Sequence, residues 1–256
     1  MHVFNYKRLF CALFTIVFPV LSFAQDLTSS EKHAIRAFVN DLKYQRKELV
    51  ASCISYPLFR QYPLPPIKSA SEFIDHYTEF IDDSFIESVN NGVFSRSGWR
   101  GIMCHYDSVS ILSGDIDENG EFVVWWIGLT DVGKMVWQKC VEEQRSKLFP
   151  SLQKYSMPVL MFETIKFTIR IDQMSDGTYR YACWAGKNSI SAKPDLILFG
   201  KRIEDGGNLP MEHYEFENKG YKYLVSRFET DDFDYELSVS KDGVTLFSQY
   251  GSTVYE

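Results

Sequence analysis

The hydrophobic period of the chain changes near residues 150–160, and no other feature constrains the fold as tightly. Before that point most apolar residues recur every three or four positions, with strand-like runs among them; after it they alternate throughout. A helix buries one face with a period of 3.6 and a half-buried strand with a period of 2, so the first half is helical and mixed while the second is built from strands alone. The stretch at the change holds Pro150 and Pro158 and few charges, which marks it as the joint between residues 25–155 and residues 156–256. The fold class read from this is α+β. An N-terminal helical and mixed domain, with helices packed on a short antiparallel sheet, precedes an all-β antiparallel barrel or sandwich of about seven strands.

Thr28 and Glu31 form a capping box. Apolar positions Ile35, Phe38, Val39, Leu42, Leu49, Val50, Cys53 and Ile54 then follow at helical spacing, with a polar break at residues 44–47. Residues 57–67 are studded with proline and read as extended. Ser69 and Glu72 cap a second helix whose apolar stripe runs from Phe73 to Val89 and stops at Asn90-Asn91-Gly92. Trp99–Ser113 and Glu121–Leu129 read as two strands around the turn at residues 117–120. A third helix is expected over residues 131–152, with Val132, Met135, Val136, Cys140 and Leu148 on its apolar face. Strands follow near 162–172, 177–184, 195–200, 212–217, 221–229, 233–240 and 243–249. Their turns carry Asp176-Gly177, Asp205-Gly206-Gly207, Lys219-Gly220, Asp231-Asp232 and Asp242-Gly243.

The opening residues read as a secretory signal. Lys7 and Arg8 precede an apolar run from Leu9 to Val20, and Ser22-Phe23-Ala24 offers a cleavage site after Ala24. Its removal leaves 25 Lys and Arg against 34 acids, a net charge near −9. That balance speaks against nucleic acid, which requires a basic face. It is compatible with a basic protein of the cell envelope or exterior, or a cationic surface, as partner. No later apolar run is long enough to span a bilayer. Cys53, Cys104, Cys140 and Cys183 sit in apolar contexts at wide spacings, which suits buried free thiols; any bridge would join two of the first three.

Chemistry-bearing motifs are sparse, and neither a cofactor nor a metal is implied. Asp115, Asp117 and Asn119 have the opening spacing of a calcium loop, but Trp126 stands where the bidentate glutamate belongs, so a hairpin turn is expected. A cleft holding His76, His105 and Asp107 would suit acid–base catalysis. Two polar loops are candidate contact surfaces. One offers Lys187, Asn188, Ser189 and Ser191. The other, residues 229–236, offers Asp231, Asp232, Phe233 and Tyr235.

IRID, DGTYRYACW, KPDLILFG, YEFENKGYKYLV and LSVSKDGVTLFSQ in the second half, with YPLPPIKSASEFIDHYTEFIDDSFI and WRGIM in the first, resemble uncharacterised secreted two-part proteins of Bacteroidetes-type bacteria. The resemblance implies export and a two-part plan, and it implies no reaction. At the level of fold, the first half is similar to nuclear transport factor 2-like domains, which would imply a small-molecule enzyme or carrier with an N-terminal pocket. The second half resembles the small barrels of lysozyme inhibitors. Their Ser-Gly-x-x-Tyr loop is not matched, because Ser113-Gly114 is followed by Asp115, Ile116 and Asp117. The expectation is therefore an exported binding protein of the cell envelope. Catalysis in an N-terminal pocket and inhibition of a lysozyme or toxin are the alternatives.

Overall fold

A computed structural model describes residues 22–24, 26–186, 189–204, 212–227 and 234–255. Helix α1 (Ser29–Lys43) starts at the expected capping box, and Gln45, at φ 52°, separates it from α2 (Lys47–Ser52). The second predicted helix is divided. It forms α3 (Ala70–Asp75), a 3₁₀ turn (Tyr77–Glu79) and α4 (Asp83–Asn91). Asp82 causes the restart, since its carboxylate accepts a hydrogen bond from the Phe85 N–H at 2.7 Å and caps α4. The apolar stripe nevertheless stays inside: Phe73, Tyr77, Phe80, Ile81, Phe85 and Val89 are all buried.

These helices cover one face of a sheet ordered β1-β2-β3-β4-β5. Its strands are β1 (Ser22–Phe23), β2 (Val93–Arg96), β3 (Ile102–Tyr106), β4 (Val109–Ile116) and β5 (Phe122–Ile127). Strands β2 to β5 are antiparallel, and β1 pairs parallel with β2 just before the expected cleavage point. The predicted strand 99–113 is a hairpin instead. Asp107 and Ser108 both have positive φ, 49° and 65°, which is the geometry of a tight two-residue turn. The first core joins Ile35, Phe38 and Leu42 of α1 to Phe94, Leu112, Phe122 and Val124 of the sheet. Phe38 and Phe94 each meet the Phe122 ring edge-on.

Helix α5 (Asp131–Lys147) and a 3₁₀ turn (Pro150–Leu152) lead to a closed antiparallel barrel of eight strands. The strands are β6 (Met157–Thr164), β7 (Phe167–Gln173), β8 (Tyr179–Ala185), β9 (Leu196–Glu204), β10 (Glu212–Asn218), β11 (Tyr221–Arg227), β12 (Tyr235–Lys241) and β13 (Val244–Thr253). Each pairs with its sequence neighbour, and β13 closes onto β6 through Gly251, Ser252 and Thr253. The count exceeds seven because residues 157–173 hold two strands. Their turn contains no glycine or asparagine; the Thr164 hydroxyl accepts from the Lys166 and Phe167 N–H groups and leaves Ile165 89 % exposed. Inward side chains such as Phe162, Ile171, Tyr181, Leu198, Phe216 and Leu237 form a packed core along the barrel axis. Among the described residues, no helix is long and apolar enough to cross a membrane.

Candidate functional site

Helix α5 organises the contact between the two cores. Thr130 caps it by accepting from the Gly133 N–H at 3.2 Å and donates its own hydroxyl to the Thr78 carbonyl at 2.7 Å. Gly133 is required there, since a Cβ would collide with the Glu79 carbonyl oxygen. The buried face of α5 runs through Gly133, Val141 and Gln144 to Leu148, while Val132, Met135 and Val136 are exposed. The expected face was wrong for those three residues because polar contacts select the orientation. Trp137 Nε1 donates to the Tyr62 carbonyl at 2.9 Å, and Gln144 Nε2 donates to the Tyr62 hydroxyl at 2.7 Å.

From Gln144 the chain of contacts enters the barrel wall. Arg170 donates to Gln144 Oε1 at 2.6 Å and pairs with Asp172 at 2.7 Å; Arg180 pairs with the other Asp172 oxygen at 2.6 Å. These three side chains point outward from β7 and β8, yet all are buried. Arg180 also donates to the Leu152 and Lys154 carbonyls. Burial pulls down the Arg170 guanidinium, but the Asp172 carboxylate together with the Tyr62 and Tyr155 hydroxyls outweighs it and holds the group above its usual range. Met161, Ala182, Trp184 and Ile190 pack with Tyr62, Leu148 and Leu152 around this network.

The acid–base candidate resolves into different partners from those expected. His76 caps the end of α3, with Nδ1 2.6 Å from Glu79 Oε1. The other Glu79 oxygen accepts from Arg60 at 2.9 Å, and Arg60 Nε donates to the Pro65 carbonyl at 2.6 Å. Glu79 and Arg60 are buried, whereas His76 is half-exposed. The pair could orient an imidazole for proton transfer, and it also ties residues 60–65 to the 3₁₀ turn. His105 lies on β3, and Asp107 belongs to the hairpin turn. Among the described residues, no hydrogen bond or ion pair joins either to His76. Glu79, three residues after His76, was detectable as a helix-spaced partner; Arg60 reaches it only through the fold.

The polar loops are partly described. Lys187 and Asn188 lie outside the described residues, as do Asp231, Asp232 and Phe233. Ser189 and Ser191 are exposed and their hydroxyls lie 2.8 Å apart. Between them Ile190 is buried in the junction, with its carbonyl accepting from the Phe149 N–H at 3.0 Å. Tyr235 is not a surface residue. It lies inside the barrel with its ring 5.0 Å from Phe162, and burial pushes its hydroxyl up to about 12. The inward alternation of β12 places it there.

A surface that sequence reading missed lies on the first sheet. Along β5, Phe122, Val124 and Ile127 are buried against the helices. Ser113 of β4 stands opposite Trp126 while the next residue, Gly114, stands opposite Val124, so Trp125 is an extra residue in β5. Such a bulge turns two consecutive side chains to the same side. Trp125 and Trp126 are 40 % and 38 % exposed on the face turned away from the helices. A plain alternating pattern would have sent one of them into the core. Comparison with known proteins found no matching family model, no matching curated protein and no matching solved structure.

Proposed function

We propose that this chain is an exported protein of the cell envelope that binds a partner through its surface and carries out no reaction of its own. The observation that carries the reading is the adjacent exposed pair Trp125 and Trp126, held on one sheet face by the β5 bulge. Tryptophan is among the side chains most enriched where truncation destroys binding, and here two stand side by side on one exposed face. The barrel axis is occupied by the protein's own side chains, which supports external recognition over transport of a small ligand inside the barrel. The pairing of His76, Glu79 and Arg60 is accounted for by its anchoring of residues 60–65.

The test is quantitative capture from envelope extract on the immobilised full chain and on a Trp125→Ser/Trp126→Ser variant with an unchanged circular dichroism spectrum. A protein retained by the first and reduced about ten-fold on the second, as expected when aromatic anchors are lost, supports the reading. Equal retention overturns it.

A further inference from the structure

Resting on that reading, we infer that the partner segment is cationic and extended: a lysine- or arginine-rich stretch of protein laid along the outer face of β5. Residues 101–130, which span β3, β4 and β5, contain Asp107, Asp115, Asp117, Glu118 and Glu121 and no lysine or arginine. Asp115 is paired with Arg96 at 3.2 Å. Among the described residues, Asp117, Glu118 and Glu121 form no ion pair, and all three are exposed or half-exposed around the β4–β5 turn. The Asp117 carboxylate accepts the Glu121 and Asn119 N–H groups, which hold it below the usual carboxylate range.

The geometry joins this charge to the aromatic pair. Phe122 and Val124 point to the helices, so Val123 points outward in one file with Trp125, and Glu121 sits exposed in the turn at the head of that file. Glu121 and Trp125 are four residues apart, about 13 Å at the rise of a strand. An extended peptide has the same rise, so its side chains i and i+4 reach both ends of the file. One cation meets the carboxylates and the other lies over an indole face, the aromatic surface that attracts cations best. The chain's overall net charge of −7 favours approach of the same partner from a distance. An uncharged glycan would use the rings and leave the acids idle; a nucleic acid strand would be repelled by them.

The test is fluorescence anisotropy with labelled hexa-arginine, with labelled hexaglutamate and a labelled glycine–serine peptide as controls. Saturable binding of hexa-arginine to the full chain is expected, with none for the controls. Trp125→Ser/Trp126→Ser should weaken it about ten-fold. Asp117→Asn/Glu118→Gln/Glu121→Gln should weaken it about ten-fold and remove most of its salt dependence. Glu142→Gln/Glu143→Gln, which removes the same kind of charge from α5, should leave it unchanged. Absence of binding, or equal loss with the α5 variant, overturns the inference. If extract capture depends on the tryptophans while hexa-arginine does not bind, the cationic assignment fails and the binding surface stands. If neither depends on them, both fail.

Discussion

Replacing Asp172 with asparagine removes the one anion that the Arg170 and Arg180 guanidiniums share. Asp172 and Arg170 are fully buried and Arg180 is nearly so. After the change the remaining acceptors are neutral: Gln144 Oε1 for Arg170, and the Leu152 and Lys154 carbonyls for Arg180. Breaking a buried pair by removing one partner costs about 3–5 kcal/mol, because an uncompensated charge stays in the interior. Here two cations lose their counterion, so the upper half of that range is expected. Native stability is only about 5–15 kcal/mol, and each kcal/mol moves the midpoint of a protein of this size by about 2–4 °C. The variant should therefore melt at least about 8 °C below the wild type, or require markedly less urea, by far-ultraviolet circular dichroism. Because Gln144 and Tyr62 connect the cluster to α5 and to residues 56–67, near-ultraviolet signals from both halves should shift together. A loss under about 1 kcal/mol would refute the reasoning, since it would mean that solvent reaches the cluster and screens it.

Three further outcomes follow from particular contacts. Glu31 is held at about 2, first by the Thr28 N–H and then by Arg96, so its charge contributes stability above about pH 4.5 that is lost as pH falls through about 2. Glu31→Gln should therefore lower the melting temperature at pH 7, by an amount worth about 0.5–1 kcal/mol, and make no difference near pH 2. Burial pushes the Cys104 and Cys183 thiols up to about 12 and about 11, and all four described cysteines are free. Alkylation read by peptide mass spectrometry at pH 8 should leave these two unmodified in the native protein and label both in urea. Gly251→Ala at the closing seam would drive a Cβ into the Glu163 carbonyl and the Phe162 ring; a loss of about 1–3 kcal/mol in urea unfolding is expected, and an unchanged midpoint would show that the seam is loose.

The parts of the fold written locally were legible in the sequence. Thr28 with Glu31, and Ser69 with Glu72, announced helix starts because a cap is a contact between residues three apart. Asp176-Gly177, Lys219-Gly220 and Asp242-Gly243 announced hairpins because glycine there adopts positive φ at little cost. Two other hairpins were hidden. Asp107-Ser108 makes the same kind of turn without glycine, and Glu163–Lys166 uses a threonine hydroxyl instead. The face of α5 was misread for a different reason. Apolarity favoured Val132, Met135 and Val136, but the helix turns toward groups it can hydrogen-bond, Tyr62 and Arg170, which are distant in sequence. The aromatic surface was hidden in the same way. Val-Val-Trp-Trp-Ile reads as a buried strand until the register against β4 shows that Trp125 is the extra residue. Position in three dimensions, set by a one-residue bulge, converted a core-like string into an exposed pair.

The central claim, that Trp125 and Trp126 form the recognition surface, is tested most directly by hydroxyl-radical footprinting of the full chain alone and with the protein captured from envelope extract. Oxidation at each side chain would be read by peptide mass spectrometry. Protection of Trp125 and Trp126 is predicted, with Ile165 and Tyr250, exposed on the barrel, oxidised to the same extent in both samples. Unchanged oxidation of the two tryptophans alongside protection of Ile165 or Tyr250 would place recognition on the barrel and contradict the account.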